Sequence, residues 1–319
     1  MKKVVENFIQ LATKCAILII CGGIVACGSD SEEGNSGGIV GNNTNTVLSN
    51  GFVLSDIGTS YATFEISTEN LKKLFLERLG VPTGTGVDLS AYGLNNNYET
   101  LLPEMVYIGI SETTDFEKAY KTYGELSNGK VIYNLQLKGD TKYYYQIFSL
   151  TPDGKIASDG KTYELKTNGF NPSNVSITTG KASTSNSNLS YYYIKLEEST
   201  IMVNNINTKE LLQFGVTYSS SKTDLQDNNI INYINADHGG YKDVVWYYPM
   251  NSLNYLSDYD KTNGMTNVTF SNGCLIAKIS PRQLMNFKNI ENYYYRIFVE
   301  LGGIYVLGEL GVVSKYDKS

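Results

Sequence analysis

One tyrosine-rich heptapeptide occurs twice in this chain, and that limits the folds open to it. Lys142-Tyr-Tyr-Tyr-Gln-Ile-Phe148 matches Asn292-Tyr-Tyr-Tyr-Arg-Ile-Phe298. Upstream of each lies a second shared pattern, Ile108-Gly-Ile-Ser111 and Phe214-Gly-Val-Thr217, each followed by a Ser/Thr-rich turn and an aspartate. Downstream of each come a glycine turn and a further strand. A repeat this long means two copies of one domain, because solenoid units recur every ~20–50 residues. Alternation identifies the copies as β: Tyr61–Ser67, Lys130–Leu137 and Tyr191–Glu197 change face at every residue and are rich in β-branched and aromatic types. Ser127-Asn-Gly129, Pro152-Asp-Gly154, Ser271-Asn-Gly273 and Gly302-Gly303 punctuate the strands as turns. The expected fold class is all-β, with two tandem sandwiches, loop insertions and one short helix.

Length and charge agree with that plan. The chain's 319 residues suffice for two domains with their own cores, and 41% hydrophobic residues are too many for a disordered chain. A net charge of -6 argues against a nucleic-acid partner. With one histidine in the whole chain, most hydrolase triads and most zinc sites lack the imidazole they need. No cofactor is called for. Thr83-Gly-Thr-Gly86 lacks the lysine and helix context of a phosphate loop.

The N-terminus carries an address. Met1-Lys-Lys3 is followed by the apolar run Ala16–Ala26 and then Cys27, the parts of a secretory signal. That run is too short to span ~30 Å of hydrocarbon as a permanent helix. Ile24-Val25-Ala26-Cys27 resembles the lipobox of bacterial lipoproteins, which implies cleavage before Cys27 and acylation of its thiol. Two or three acyl chains hold a protein on a bilayer far more firmly than one, at roughly 0.8 kcal/mol per buried methylene. Asp30, Glu32 and Glu33 resemble the surface-export signal of lipoproteins from the Bacteroidota, which implies an outer-membrane anchor facing the cell exterior; a soluble, charged tether is the plainer alternative. Residues 28–50, rich in Gly, Ser and Asn, read as a flexible spacer. Cys15 and Cys21 leave with the signal, so only Cys274 remains in the mature fold and no internal disulfide is available. Cys274 follows a turn and reads as a small core residue.

Leu137-Lys-Gly-Asp-Thr141-Lys-Tyr143 resembles the tyrosine corner of fibronectin type III domains, with Gly139 in place of the usual proline. The resemblance implies that the Tyr143 hydroxyl bonds back to main chain just before the penultimate strand. In that register Tyr143, Tyr145 and Ile147 face inward and Tyr144 and Gln146 outward. Phe287-Lys-Asn-Ile-Glu291-Asn-Tyr293 keeps the corner tyrosine in the second copy without the threonine. Domains of this family are usually spacers and binding modules, which speaks against catalysis.

Two insertions interrupt the copies. The first, Thr68–Pro103, opens with Glu69–Leu79, apolar at 71, 74, 75 and 79 and stopped by Gly80, an amphipathic helix lying on the sheet or its edge. The second, Gln226–Met265, gathers both singletons and several tyrosines in His238-Gly-Gly-Tyr241-Lys-Asp243-Val-Val-Trp246-Tyr247-Tyr248-Pro249, then Tyr255 and Tyr259. Flat rings suit the C–H face of a sugar, and Asp237, Asp243 and Asn254 offer partners for its hydroxyls. A long loop burying its own aromatics as a satellite core is the competing reading. Asp258-Tyr-Asp260-Lys-Thr-Asn263-Gly264 departs from a calcium loop in glycine position and lacks the bidentate glutamate, so no metal site is expected.

These readings divide the chain into a signal peptide (1–26), a lipidated cysteine and linker (27–50), and domains at 51–168 and 169–319. The expected function is a lipid-anchored, surface-exposed, non-catalytic binding module for polysaccharide or another envelope protein. The alternative is a structural, adhesin or pilus-associated component of the cell envelope.

Overall fold

A computed structural model describes residues 46–48, 50–83, 88–92, 94, 98–188, 190–227, 229–236, 244–247 and 264–318. The signal segment and Cys27 lie outside the described residues. The chain forms two compact units, the first running through Ile57 and then over Tyr61–Asn168, the second holding Gly58–Ser60 and Gly169–Ser319.

The first unit is all-β apart from its insertion. Its strands are β1 (Thr46–Val47), β2 (Val53–Ile57), β3 (Tyr61–Ser67), β4 (Val106–Ser111), β5 (Tyr120–Tyr123), β6 (Glu125–Ser127), β7 (Lys130–Gln136), β8 (Lys142–Leu150), β9 (Ile156–Ser158) and β10 (Tyr163–Lys166). One antiparallel sheet runs β1-β2-β3-β7-β6; the other runs β10-β8-β4-β5, with β9 also on β8. Period-two alternation puts Phe64 and Ile66 of one sheet and Tyr145 and Ile147 of the other into one buried cluster. The Phe64 and Tyr145 rings meet at 4.9 Å. Within the expected linker, which runs to 50, Leu48 is buried and its N–H donates to Phe52 O at 2.7 Å, so these residues belong to the first unit.

The insertion holds two helices where the sequence reading expected one. Helix α1 (Thr68–Arg78) starts with Ser67 Oγ accepting from the Asn70 N–H at 3.2 Å and buries Leu71, Phe75 and Leu76. Gly80 takes φ +66°, the left-handed conformation that stops the helix. Helix α2 (Tyr98–Met105) contains Pro103, which hid it from a sequence reading, and runs directly into β4.

The second unit repeats the plan. Its strands are β11 (Val175–Thr178), β12 (Ala182–Asn188), β13 (Tyr191–Leu196), β14 (Ser199–Val203), β15 (Leu212–Ser219), β16 (Val244–Tyr247), β17 (Met265–Ser271), β18 (Cys274–Ile279), β19 (Arg282–Asn286), β20 (Asn292–Leu301), β21 (Ile304–Leu307) and β22 (Gly311–Ser314). The sheet β16-β15-β20-β21, with β22 also on β20, matches β5-β4-β8-β9/β10. The counterpart of β2-β3-β7 is broken into β11-β14-β18-β17 and β12-β13-β19. The breaks fall level with one another, at Gly180, Glu197-Glu198 and Pro281. A Cβ at Gly180 would meet the Glu197 carbonyl, so only glycine lets the two backbones approach there. Helix α3 (Ile230–Ala236) is a third helix the sequence reading treated as loop.

Both corner tyrosines bond back to main chain. Tyr143 Oη accepts from the Lys138 N–H at 2.8 Å, and Tyr293 Oη donates to Asn286 O at 2.9 Å. Tyr143, Tyr145 and Ile147 are buried while Tyr144 and Gln146 are half-buried on the other face. Cys274 is half-buried and not in the core, because Leu275, Ala277 and Ile279 take the inward positions of β18.

Candidate functional site

The described parts of the second insertion, α3 and β16, contribute Ile230, Ile234 and Trp246 to the face of the β15–β20 sheet turned away from the sandwich core. Across this face Trp246, Gly215, Phe298 and Leu307 stand opposite one another on successive strands. Gly215 has no side chain, so the Trp246 and Phe298 rings meet over it, edge to face at 4.9 Å and 77°. A Cβ at Gly215 would lie 2.8 Å from Phe298 Cζ and would also meet the Val245 carbonyl. Phe298 is fully buried, under a satellite cluster with Leu225, Ile230 and Ile234.

Polar contacts fasten α3 over that cluster. Tyr233 Oη donates to Tyr218 O and Tyr305 Oη to Asn235 Oδ1, each at 3.0 Å. Burial pushes the Tyr305 hydroxyl up to about 12, with Glu300 adding to it. Arg296, pointing out of β20, donates from Nε to Gly308 O at 2.7 Å and from Nη1 to Leu225 O at 3.0 Å.

Of the residues the sequence singled out, Trp246 lies half-buried against this cluster. Tyr247 stands on β16 opposite Phe214. Asp237, His238, Tyr241, Asp243, Tyr248 and Tyr255 lie outside the described residues.

A groove in the first unit went unnoticed in the sequence. It encloses about 430 Å³ between α1 and the segment joining β9 to β10, with Asn50 at one end. Leu71 and Phe75 fix one side of α1 in the core, which turns Asn70, Lys73, Leu74 and Glu77 toward the groove. Arg78 is clamped by Ser149 Oγ at 3.1 Å and the carbonyls of Ala157 at 2.8 Å and Ser158 at 2.5 Å. Opposite, Asp159 accepts from Asn50 Nδ2 at 3.3 Å and from the Lys161 N–H at 3.2 Å. Burial pushes the Asp159 carboxyl above its usual range, opposed by those hydrogen bonds and by the Arg78 charge. These groups are scattered over more than a hundred positions. The one trace they left in the sequence is the polar side of the α1 pattern.

Among the described residues no group of three or more His, Cys, Asp or Glu side chains is placed to hold a metal ion. Among the same residues no helix is long and apolar enough to cross a membrane.

No protein-family model matches the chain, and no curated protein matches it. Among solved structures, a Corynebacterium diphtheriae protein described as membrane anchored is 8% identical with a TM-score of 0.23; the match covers 81% of this chain but only 56% of that one. The receptor tyrosine kinase Torso is 10% identical with a TM-score of 0.20, over 82% of this chain and 72% of its own. The C-terminal domain of the Streptococcus agalactiae antigen I/II polypeptide BspA is 10% identical with a TM-score of 0.17, over 82% and 96%. At these scores the likenesses support no functional statement. The class is defined by the chain's own strands: an all-β protein of packed antiparallel sheets.

Proposed function

We propose that the protein is a lipid-anchored, non-catalytic binding module displayed on the cell surface, with two fibronectin type III-like units as its scaffold. The observation that carries this is Ile24-Val25-Ala26-Cys27, followed by a polar spacer and then by compact β units. Shared strand order and the two corner tyrosines support the fibronectin-like reading. Cys27 is the lipidation site and the outer membrane the location; the partners are the bilayer and a polysaccharide or envelope protein. In this reading the aromatic segment of the second unit recognises a glycan, with Trp246 at its base.

The anchor is tested by growing cells with radiolabelled palmitate. Label and membrane fractionation are expected in the natural chain and lost in Cys27→Ser; a Cys27→Ser chain that stays labelled ends the proposal. Protease treatment of whole cells then reports the exposed side. Glycan recognition is tested by calorimetric titration of the full chain with soluble polysaccharides, where binding that is lost in a folded Trp246→Ala chain is the expected result and no binding across the panel ends this reading.

A structural or adhesin role in the envelope is favoured by one observation. Edge strands β5 and β6 of the first unit expose Tyr120 at 61%, Tyr123 at 51% and Leu126 at 56%, apolar surface suited to pairing with another chain. Self-association of the purified chain, lost in Tyr120→Lys with Tyr123→Lys, would favour this role over glycan binding.

A further inference from the structure

We infer that the α1 groove of the first unit binds an acidic sugar, a ring bearing neighbouring hydroxyls and one carboxylate. This assigns a site in the first unit and stands whether or not the Trp246 segment binds anything.

The first argument is preorganisation. Arg78 is held by three hydrogen bonds, and α1 is fixed by the fully buried Leu71 and Phe75. Groups already held in place lose little freedom when a ligand arrives. The groove's volume of about 430 Å³ lies within the ~300–1,000 Å³ usual for small-molecule sites.

The second argument is chemical. The Asp159 carboxylate accepts from Asn50 Nδ2 and from the Lys161 N–H, and its two oxygens together offer about four acceptor sites. Two adjacent acceptors on one carboxylate match two adjacent hydroxyls. Asn50 and Asn70 place amides, each both donor and acceptor, at the groove's edge. Leu74 supplies apolar surface for the C–H side of a ring.

Charge selects the acid. Three cations, Lys73, Arg78 and Lys161, line the groove against two carboxylates, Glu77 and Asp159, although the whole chain has a net charge of -6. Lys73 is 64% exposed at its side chain and 3.9 Å from Glu77, a loose pair that a ligand carboxylate displaces at little cost. Arg78 lines the groove, and its Nη1, which takes no partner among the described residues, is left as a charge-assisted donor.

The test is calorimetric titration of the full chain with glucuronate and N-acetylneuraminate, with glucose and acetate as controls. At least one acidic sugar is expected to bind at least tenfold more tightly than either control. Lys73→Glu, an exposed change that leaves the core intact, is expected to weaken that binding about tenfold or more, and Asp159→Asn to do the same. Trp246→Ala is expected to leave it unchanged. Near-ultraviolet circular dichroism checks that each variant is folded. The inference is overturned if neither acidic sugar binds, or if acetate binds as tightly, which would mean a plain anion patch. Binding of glucose equal to that of the acids, or binding unmoved by Lys73→Glu, overturns it equally.

Discussion

The outer faces of the β4–β8 and β15–β20 sheets carry the same row of positions filled in opposite ways. In the first unit the row reads Tyr123, Tyr107, Phe148, and Tyr107 stacks on Phe148 at 5.0 Å and 4° while Tyr123 packs on its other side at 5.4 Å. In the second unit it reads Trp246, Gly215, Phe298, with a gap where the first unit has a tyrosine. The first sheet covers itself with its own central ring. The second leaves that place empty, lets rings from the two flanking strands meet, and needs α3 to seal them. A sandwich core is therefore the repeated part, and the outer sheet face is where the copies take different work.

Four comparisons probe that contrast, the largest effect first. Phe298→Ala is expected to destabilise the second unit by about 3–5 kcal/mol, since it empties a fully buried ring site; Phe148→Ala, at a half-buried position, should cost about half as much. Denaturant unfolding with separate transitions for the units measures both, and equal losses would remove the contrast.

Gly215→Ala should cost about 1–3 kcal/mol, because the added Cβ meets the Val245 carbonyl, a backbone atom that cannot swing away. Gly109→Ala meets only the edge of the Phe148 ring, at 2.6 Å, and its smaller loss is the comparison to measure by thermal unfolding.

Corner tyrosines are the shared feature, so Tyr143→Phe and Tyr293→Phe should cost nearly the same, about 1 kcal/mol for one hydrogen bond each. A large inequality would show that the corner has different weight in the two copies.

The smallest effect is at alkaline pH. Burial raises the hydroxyls of Tyr107 and Tyr305, one in each unit, from 10 to about 12. Raised folded-state values favour the neutral form, so this contribution is whole below pH 10 and is lost as pH climbs toward about 12. Tyrosinate absorbance against unfolding in that window checks it, and Tyr305→Phe should flatten the second unit's share only slightly because its ring is half-buried.

What was legible in the sequence follows from periodicity. The strand alternation, the inward set Tyr143-Tyr145-Ile147 and the corner hydroxyls needed only local pattern. Register was not legible. The match of Ile108-Gly109 with Phe214-Gly215 looks like equivalence, yet Gly109 stands opposite Gln146 while Gly215 stands opposite Phe298. The two glycines are therefore offset by two places on equivalent strands, and Tyr107 is the true counterpart of Gly215. A shift of two keeps every side chain on its face, so hydrophobic pattern cannot detect it. Helices α2 and α3 were missed because each is too short for a strong helical period. The groove was missed because tertiary folding alone brings Asn50, Lys73 and Asp159 to one place.

The central claim is that the second unit seals its outer sheet face through the contact of Trp246 with Phe298. The chain has one tryptophan, so its fluorescence reports the surroundings of Trp246. Acrylamide quenching is expected to be well below that of the urea-unfolded chain, and to rise with a red shift in Phe298→Ala. A native Trp246 quenched as readily as the unfolded chain, and indifferent to Phe298→Ala, would contradict it.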